Sequence, residues 1–551
     1  MIRNLWLLLG LFFSSFSFSQ TVGIIQNDSL ALNGYTLFSP TGFNKTYLID
    51  NCGFIINEWE SEHDPGMMAY LLPNGNLLRT ARISSSFNAG GTGGKIEIFD
   101  WDGNLIWSYN YSSPVYHQHH EVEPLSNGNI LVLAWEKRTQ AEAIMAGRNP
   151  DEVNSQGVWS EKVVEIEPIG SDGINIIWEW YLWDHLVQDF NDTLQNFMKV
   201  NEHPELIDIN FAAENGTDWV HLNSIDYNEE LDQIILSSRN FNELWIIDHS
   251  TTTLQASQHS GGASGMGGDI LYRWGNPQAY QRGDETDQKL FAQHDVHWIK
   301  PELNDEGKIM IFNNGIGRPT GDYSSVDVIN PPLNVEGNYV IDNDLPFDPI
   351  DLDWTYEANP PFDFVSARIS GAQRLPNGNT LICNGRNGEF FEVTEEGEQV
   401  WLYVNPVGNN GPVSQGNQPV QNDVFQTIRY SPDYAAFEGR DLIPQNPVEL
   451  NPTMNSCEIY DGTMSSVGNF PKLDGIRILG NPIYDFLSIE NLTGKKVKIE
   501  VFDMIGQPIF SDFSKDEIIR ILSLNWNIGM YFIQISNENS TEFFTQKLIK
   551  H

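Results

Sequence analysis

The sequence predicts an all-β protein, a six-bladed β-propeller followed by a small C-terminal β-sandwich. Two features carry the propeller: a recurring unit of apolar strand, tight turn and apolar strand, and six strands that each hold a tryptophan. A third, a series of short alternating strands after residue 474, carries the sandwich. Composition agrees: the 551 residues include 46 Gly, 28 Pro and 16 Trp, with 40% apolar and 19% charged, the mixture of turn-rich β-structure.

In chain order, the first element is an address. Arg3 supplies a short positive region, Leu5 to Phe13 an apolar run, and Ser17-Phe18-Ser19 the small residues of a cleavage site, so residues 1–19 are expected to be a secretory signal peptide. That run is too short for about 30 Å of hydrocarbon. No later stretch approaches eighteen apolar residues, so no membrane span is expected.

Residues 20–455 are expected to form the propeller. The turn unit reads LLPNGNLL from Leu71, PLSNGNILVL from Pro124 and RLPNGNTLIC from Arg374, with looser copies from Tyr227 and Leu303. The tryptophans are Trp59, Trp107, Trp178, Trp274, Trp354 and Trp401, separated by 48, 71, 96, 80 and 47 residues. The two shortest spacings match a four-stranded blade, and the longer ones leave room for inserted loops. Blades bury their faces by stacking around an axis, and an early strand near Trp59 is expected to complete the last one. A β-sandwich would not carry such a repeat. Apolar residues at helical spacing between Trp183 and Phe211 predict short helices in an insertion. The glycine-rich stretch from His259 lacks the GK[ST] of a phosphate loop and is expected to lie over the channel. Residues 456–473 read as a linker. Residues 474–551 read as the sandwich, with a turn at Met504-Ile505-Gly506-Gln507.

With 74 acidic and 31 basic residues the net charge is −43, which leaves no basic footprint and excludes a nucleic-acid partner. Cys52, Cys383 and Cys457 form no CxxC; at most one pair is bridged, and the sequence does not say which.

Eleven of the twelve histidines precede residue 300. YHQHHEVE from Tyr116, DWVHLNS from Asp218 and QHDVHW from Gln293 each begin or precede a strand leading into a repeat turn, the position of an innermost strand. His119, His120, His221, His294 and His297 are therefore expected around one channel mouth, with Asn223 and Asn314 from the same or adjoining segments. Arg239, Arg318, Arg368 and Arg386 also lie beside inner strands, where a guanidinium fork can pair with an oxyanion. His117 with His119, or His294 with His297, offers two imidazoles to a metal. HExxH is absent, however, and no carboxylate triad is fixed by spacing, so neither metal nor cofactor is expected. The Asp100-Trp101-Asp102-Gly103-Asn104 run needs no ion as a hairpin tip.

Taken in order, YLIDNCGFIINEWES, HHEVEPLSNGNIL, WDHLVQDF, HPELIDIN, DWVHLNSIDYNEELDQIILSSRNF, GGDILYRWGNPQAY, QHDVHW, FNNGIGRP and ISGAQRLPNGNTLICNGRNGEFFEVT resemble the bacterial arylsulfotransferases from Thr46 to Pro452. The resemblance implies a six-bladed propeller that moves a sulfuryl group from an aryl sulfate to a phenol through a sulfohistidine, without a nucleotide sulfate donor. It maps His221, His294 and Arg318 onto active-site positions. The family's nucleophile is a histidine of a later blade. This chain has none after His297 except His551, so the nucleophile is expected among the earlier histidines, with His294 preferred, since it shares a blade with Arg318, and His119, His221 and Arg318 assisting. His120, Asn223, Arg239, His297, Asn314 and Arg368 are expected to contact substrate.

The tail, through NPIYDFLSIE, VFDMIGQPIF, IGMYFIQI and the terminal KLIK, resembles the sorting domain of proteins exported by the type IX secretion system of Bacteroidetes. It implies export through the periplasm to the cell surface or medium, with that machinery as partner. Two other classes compete: a non-catalytic ligand- or glycan-binding propeller, and a quinoprotein-like oxidoreductase suggested by DWDGNLIWSYN and EEGEQVWLYVN. The latter predicts adjacent cysteines or a calcium-bound quinone site that the sequence lacks.

Overall fold

The computed structural model describes residues 20–335, 337–340, 345–452, 457–460, 473, 475–479, 483–502, 508–527, 529–537 and 543–550. The signal-peptide segment 1–19, the turn at 504–507 and His551 lie outside the described residues. Two compact units divide at 460/461.

The first unit is a ring of six antiparallel sheets. Blades 1 to 5 span residues 65–110, 116–181, 222–274, 294–356 and 371–404, and each begins at its innermost strand. Blade 6 is composite: its inner strand Val424–Tyr430 pairs with Tyr35–Pro40, which continues into Lys45–Ile49 and Ile55–Glu60. Gly23–Asn27 adds a fifth strand outside blade 5. The N-terminal segment thus closes the ring on two neighbouring blades.

Every repeat turn joins a first strand to a second. In blades 1, 2 and 5 the loop ends on a left-handed glycine, Gly75, Gly128 and Gly378, at φ 88°, 90° and 86°, a conformation that costs any residue with a Cβ. The six tryptophans all occupy fourth strands. Each indole donates to the connection between the third and fourth strands of the next blade: Trp59 to Asp100 O, Trp107 to Gly173 O, Trp178 to Thr251 Oγ1, Trp274 to Pro349 O, Trp354 to Glu395 O and Trp401 to Asn51 O. One bulky ring per blade therefore supplies apolar burial and a directional bond across each of the six seams.

Part of the acidic excess is structural. Glu121 accepts Ile225 N–H at 2.9 Å, Asp226 accepts Trp298 N–H at 2.9 Å and Asp295 accepts Ala372 N–H at 2.7 Å, so buried carboxylates tie successive inner strands together. Such bonds satisfy backbone donors that the ring geometry leaves without strand partners.

Cys52, in the turn between the outer strands of blade 6, is bridged to Cys457, and Cys383 is free and buried. The bond joins positions 405 residues apart. Cys457→Ser is expected to lower unfolding stability by about 2–4 kcal/mol, measurable as an earlier denaturation midpoint that reductant no longer shifts.

Two local expectations change. The insertion after blade 2 forms two short 3₁₀ helices, Leu182–Asp184 and Val200–Glu202, and a short parallel ladder of Leu186–Val187 with Ile207–Asp208, but no α-helix. The Gln188 amide donates to Asn191 O and Gln195 O and accepts Asn191 N–H, taking backbone groups that a helix would pair internally. The glycine-rich stretch lies between the third and fourth strands of blade 3 and packs against blade 2 through Trp180 Nε1 to Gly268 O, rather than over the channel.

The second unit holds a three-stranded sheet (Ile476–Ile478, Phe486–Asn491, Ile518–Leu522) and a four-stranded one (Pro508–Ser514, Val497–Phe502, Gly529–Asn537, Phe543–Lys550). Alternate residues Leu487 and Ile489, Val497, Ile499 and Val501, and Ile533 and Ile535 fill one core, the pattern of a β-sandwich.

Candidate active site

His120, at an irregularity midway along the inner strand of blade 2, and His221, immediately before that of blade 3, take left-handed backbone conformations, at φ 49° and 54°. This state is costly for a residue with a Cβ and persists only where neighbours hold it. His120 N–H is held by Gly91 O at 2.6 Å, and the close approach requires glycine: a Cβ on Gly91 would meet the His120 ring at 2.0 Å. The carbonyl of His221 accepts Arg239 N–H. The two rings meet edge to face with centroids 4.8 Å apart.

Behind His120 runs a buried chain. Glu161 Oε2 is 2.8 Å from His119 Nε2, and His119 Nδ1 is 2.8 Å from His120 Nδ1. Glu161 Oε1 accepts Leu222 N–H, and His119 stacks on Trp135 at 4.0 Å. Two facing ring nitrogens share one proton, so the chain has two settings. With Glu161 ionised, His120 presents an Nε2 lone pair; with Glu161 protonated, the protons shift along and His120 presents Nε2–H. Burial pushes the Glu161 carboxyl well above its usual range. It also pushes His119 and His120 well below the usual imidazole range, as do the neighbouring histidines. The proton therefore rests on Glu161 rather than on an imidazolium.

His221 Nδ1 donates to Asp218 Oδ2 at 2.6 Å, and no described protein group bonds its Nε2. His294 differs. The Asn314 amide donates to Ser366 O and Ile369 O, which turns its oxygen onto His294 Nδ1 at 2.7 Å and fixes that tautomer. His294 Nε2 then accepts Ile369 N–H at 3.2 Å. Burial, with the Arg239 guanidinium adding to it, lowers His294 to about 3. Phe425 of blade 6 lies against both His120 and His294.

The structure thus groups His120, His221, His294 and Arg239, with His119 and Asn314 behind them. Arg239 spends one contact on Asn240 Oδ1 and bears electrostatically on His120 and His294. Arg318 folds back over Tyr323, centroid 4.5 Å away, and donates to Ser325 Oγ. Arg368 and Arg386 share Asp423. Asn223 is buried and donates to Gln293 O across the blade 3–4 seam. His297 lines a separate cavity of about 790 Å³ toward the repeat turns, with Glu121, Glu123, Asp226 and Lys300. Blade 5 brings no histidine: the residues in the left-handed region ahead of its inner strand are Ile369 and Ser370, at φ 54° and 90°. Sequence reasoning missed Glu161, Phe425 and the Ile369 N–H.

Residues 22–430 match the Arylsulfotransferase (ASST) family. The chain belongs to the arylsulfotransferase family. Membership supports aryl sulfotransferase activity in general terms. Residues 478–551 match the secretion system C-terminal sorting domain, that of type IX secretion, which supports secretion or display at the cell surface. No curated protein matches the chain. Among solved structures, a protein of unknown function from Bacteroides caccae is 11% identical, at TM-score 0.39 over 72% of this chain and 99% of that one. A virginiamycin B lyase from Staphylococcus aureus is 11% identical, at TM-score 0.32 over 71% and 90%. These likenesses are too distant to bear on activity. No helix among the described residues is long and apolar enough to cross a membrane.

Proposed function

We propose that this arylsulfotransferase moves a sulfuryl group from an aryl sulfate to a phenol through a sulfohistidine on His221, without a nucleotide sulfate donor. The observation that carries this is a pair of adjacent imidazoles, His120 and His221, each backed at Nδ1, with no described protein group on Nε2 and with Arg239 alongside. His294 is the weaker candidate because its Nε2 already accepts Ile369 N–H.

In the first half-reaction the His221 Nε2 lone pair attacks sulfur and the bond from sulfur to the aryl oxygen breaks. His120 Nε2–H protonates the departing oxygen while protons shift from His119 to His120 and from Glu161 to His119. Asp218 keeps the Nδ1 proton of His221 and offsets the positive charge of the sulfated ring. In the second half the acceptor phenol gives its proton to His120 Nε2, resetting the chain, and its oxygen attacks sulfur, which releases His221. Arg239 faces the charge spread over the non-bridging oxygens of a loose transition state.

Mixing the purified protein with an aryl sulfate, with and without a phenol, tests the reading. An acid-labile mass increase on His221, discharged by the phenol, supports it; label on His294 reassigns the nucleophile, and neither label nor turnover favours a binding protein. Arg239→Ala is expected to slow sulfation by about 10²–10³-fold. Arg318→Ala should cost less than about 10-fold because that side chain is engaged by Tyr323 and Ser325, and steady-state rates of the two variants decide between them.

For export, residues 1–19 act as the signal peptide and residues 474–551 as the type IX address. Deleting 474–551 should leave a folded propeller in the periplasm. Continued release or surface display of the truncated protein, seen by fractionation, would refute the assignment.

A further inference from the structure

Outside the channel, at the outer edge of blades 2 and 3, His185, His259 and Asp269 bring one ligand atom each to within 4.8 Å of one another. His185 Nδ1 lies 2.7 Å from Asp269 Oδ1, and His259 Nδ1 lies 2.8 Å from the same oxygen. The other nitrogen of His185 settles its protonation. Nε2 is 2.8 Å from the Ala256 carbonyl oxygen, which can only accept, so Nε2 carries the proton. A neutral His185 then turns an Nδ1 lone pair toward a carboxylate oxygen, with nothing between them to bond. A proton on one of the two groups, or a metal ion between them, has to bridge the pair.

We propose that His185 Nδ1, His259 Nδ1 and Asp269 Oδ1 form a zinc site that staples the glycine-rich loop of blade 3 to the insertion following blade 2. Two imidazoles and one carboxylate suit zinc, which takes a fourth ligand from solvent. The bond from His185 Nε2–H to a backbone carbonyl is the outer contact that orients a ligating imidazole. The cradle is held in place. His185 stacks parallel on Trp180, 5.7 Å away, and the Trp180 indole donates to Gly268 O at 2.7 Å. Gly268 cannot carry a side chain, since a Cβ there would lie 2.0 Å from Ala256 O and 2.7 Å from His185 Nε2. Tetrahedral bonds of about 2.0 Å set donor atoms about 3.3 Å apart, so each of the two nitrogen–oxygen pairs needs to open by about half an ångström to admit the ion. The exposed side chain of His259 supplies that movement.

The test uses the full chain, without added histidines and stripped by chelator, titrated with zinc chloride. Saturable uptake at this site, with a thermal midpoint that rises with zinc, is expected. His259→Gln, a change at a side chain 60% exposed and so compatible with folding, should weaken that uptake at least about 100-fold and remove the midpoint shift. Zinc binding and stabilisation unchanged in His259→Gln, or no binding by the wild-type chain, would overturn the proposal and leave a hydrogen-bonded histidine–aspartate clamp. Because the trio lies apart from His221, turnover of the stripped protein is expected to be unchanged, so this outcome is independent of the sulfotransfer reading.

Discussion

Replacing His221 with alanine is expected to abolish the sulfated intermediate and to lower turnover by at least about 10⁴-fold, the scale on which loss of a covalent nucleophile is felt. The choice of His221 follows from lone pairs. An imidazole attacks through its unprotonated nitrogen, so the nucleophile needs one nitrogen held as N–H and the other free. Asp218 provides the first condition for His221 at 2.6 Å, and its Nε2 has no described protein partner. His294 meets only half: Asn314 fixes its Nδ1–H, but Nε2 accepts the Ile369 backbone N–H, a bond that attack would have to break. His294→Ala is therefore expected to reduce the rate while leaving label on His221. Label retained by His221→Ala would reverse the assignment. A Michaelis constant raised at unchanged turnover number would instead make His221 a binding residue.

Why the sequence reaches His221 and His294 equally, yet ranks them differently from the structure, is a matter of what each contact is made from. The blade count was legible because one tryptophan per blade carries both burial and a bond, and the residues that make it recur at blade length. The convergence of His120, His221 and His294 was legible because each lies on, or just before, the strand that leads into its own repeat turn. The rank of His294 depends on Ile369 N–H, a backbone donor from another blade that no side-chain pattern reveals. Arg318 was legible as a cation but not as one spent on Tyr323 and Ser325 a few residues on. Glu161 was hidden for a different reason. It lies in Val158–Ile169, where the charged residues Glu161, Lys162 and Glu165 carry no local sign of burial, yet all three are buried. Trp159 bridges to Asp218 in the segment after the 183–211 insertion, and Leu222 N–H meets Glu161 itself. Cover of this kind is contributed from some 60 residues away, beyond any local period.

Glu161→Gln is expected to separate the two roles of the imidazoles at nearly constant shape. The introduced amide keeps its oxygen on Leu222 N–H and must turn its NH₂ toward His119 Nε2, which fixes His119 with Nδ1–H and His120 with Nε2–H. His120 then cannot give up its Nε2 proton, because the amide has none to pass down the chain, and it has no lone pair with which to take one. Sulfation of His221 should consequently depend on the leaving group. An aryl sulfate whose phenol is strongly acidic needs no protonation and should react at close to the wild-type rate, whereas one with a basic phenol should lose about 10²–10⁴-fold, the usual share of general acid catalysis. The return half should acquire a pH dependence with a definite sign. Without a base the acceptor must arrive already ionised, so turnover of the variant rises about tenfold per pH unit until the phenol titrates near about 10. The wild-type protein, whose proton rests on a carboxyl that burial holds well above its usual range, should show no such slope around neutrality. Single-turnover sulfation across a series of aryl sulfates, followed by pH profiles of discharge to one phenol, measures both effects. An equal loss for every leaving group, with a flat pH profile in the variant, would mean that Glu161 merely props up His119 and that the proton moves by another route.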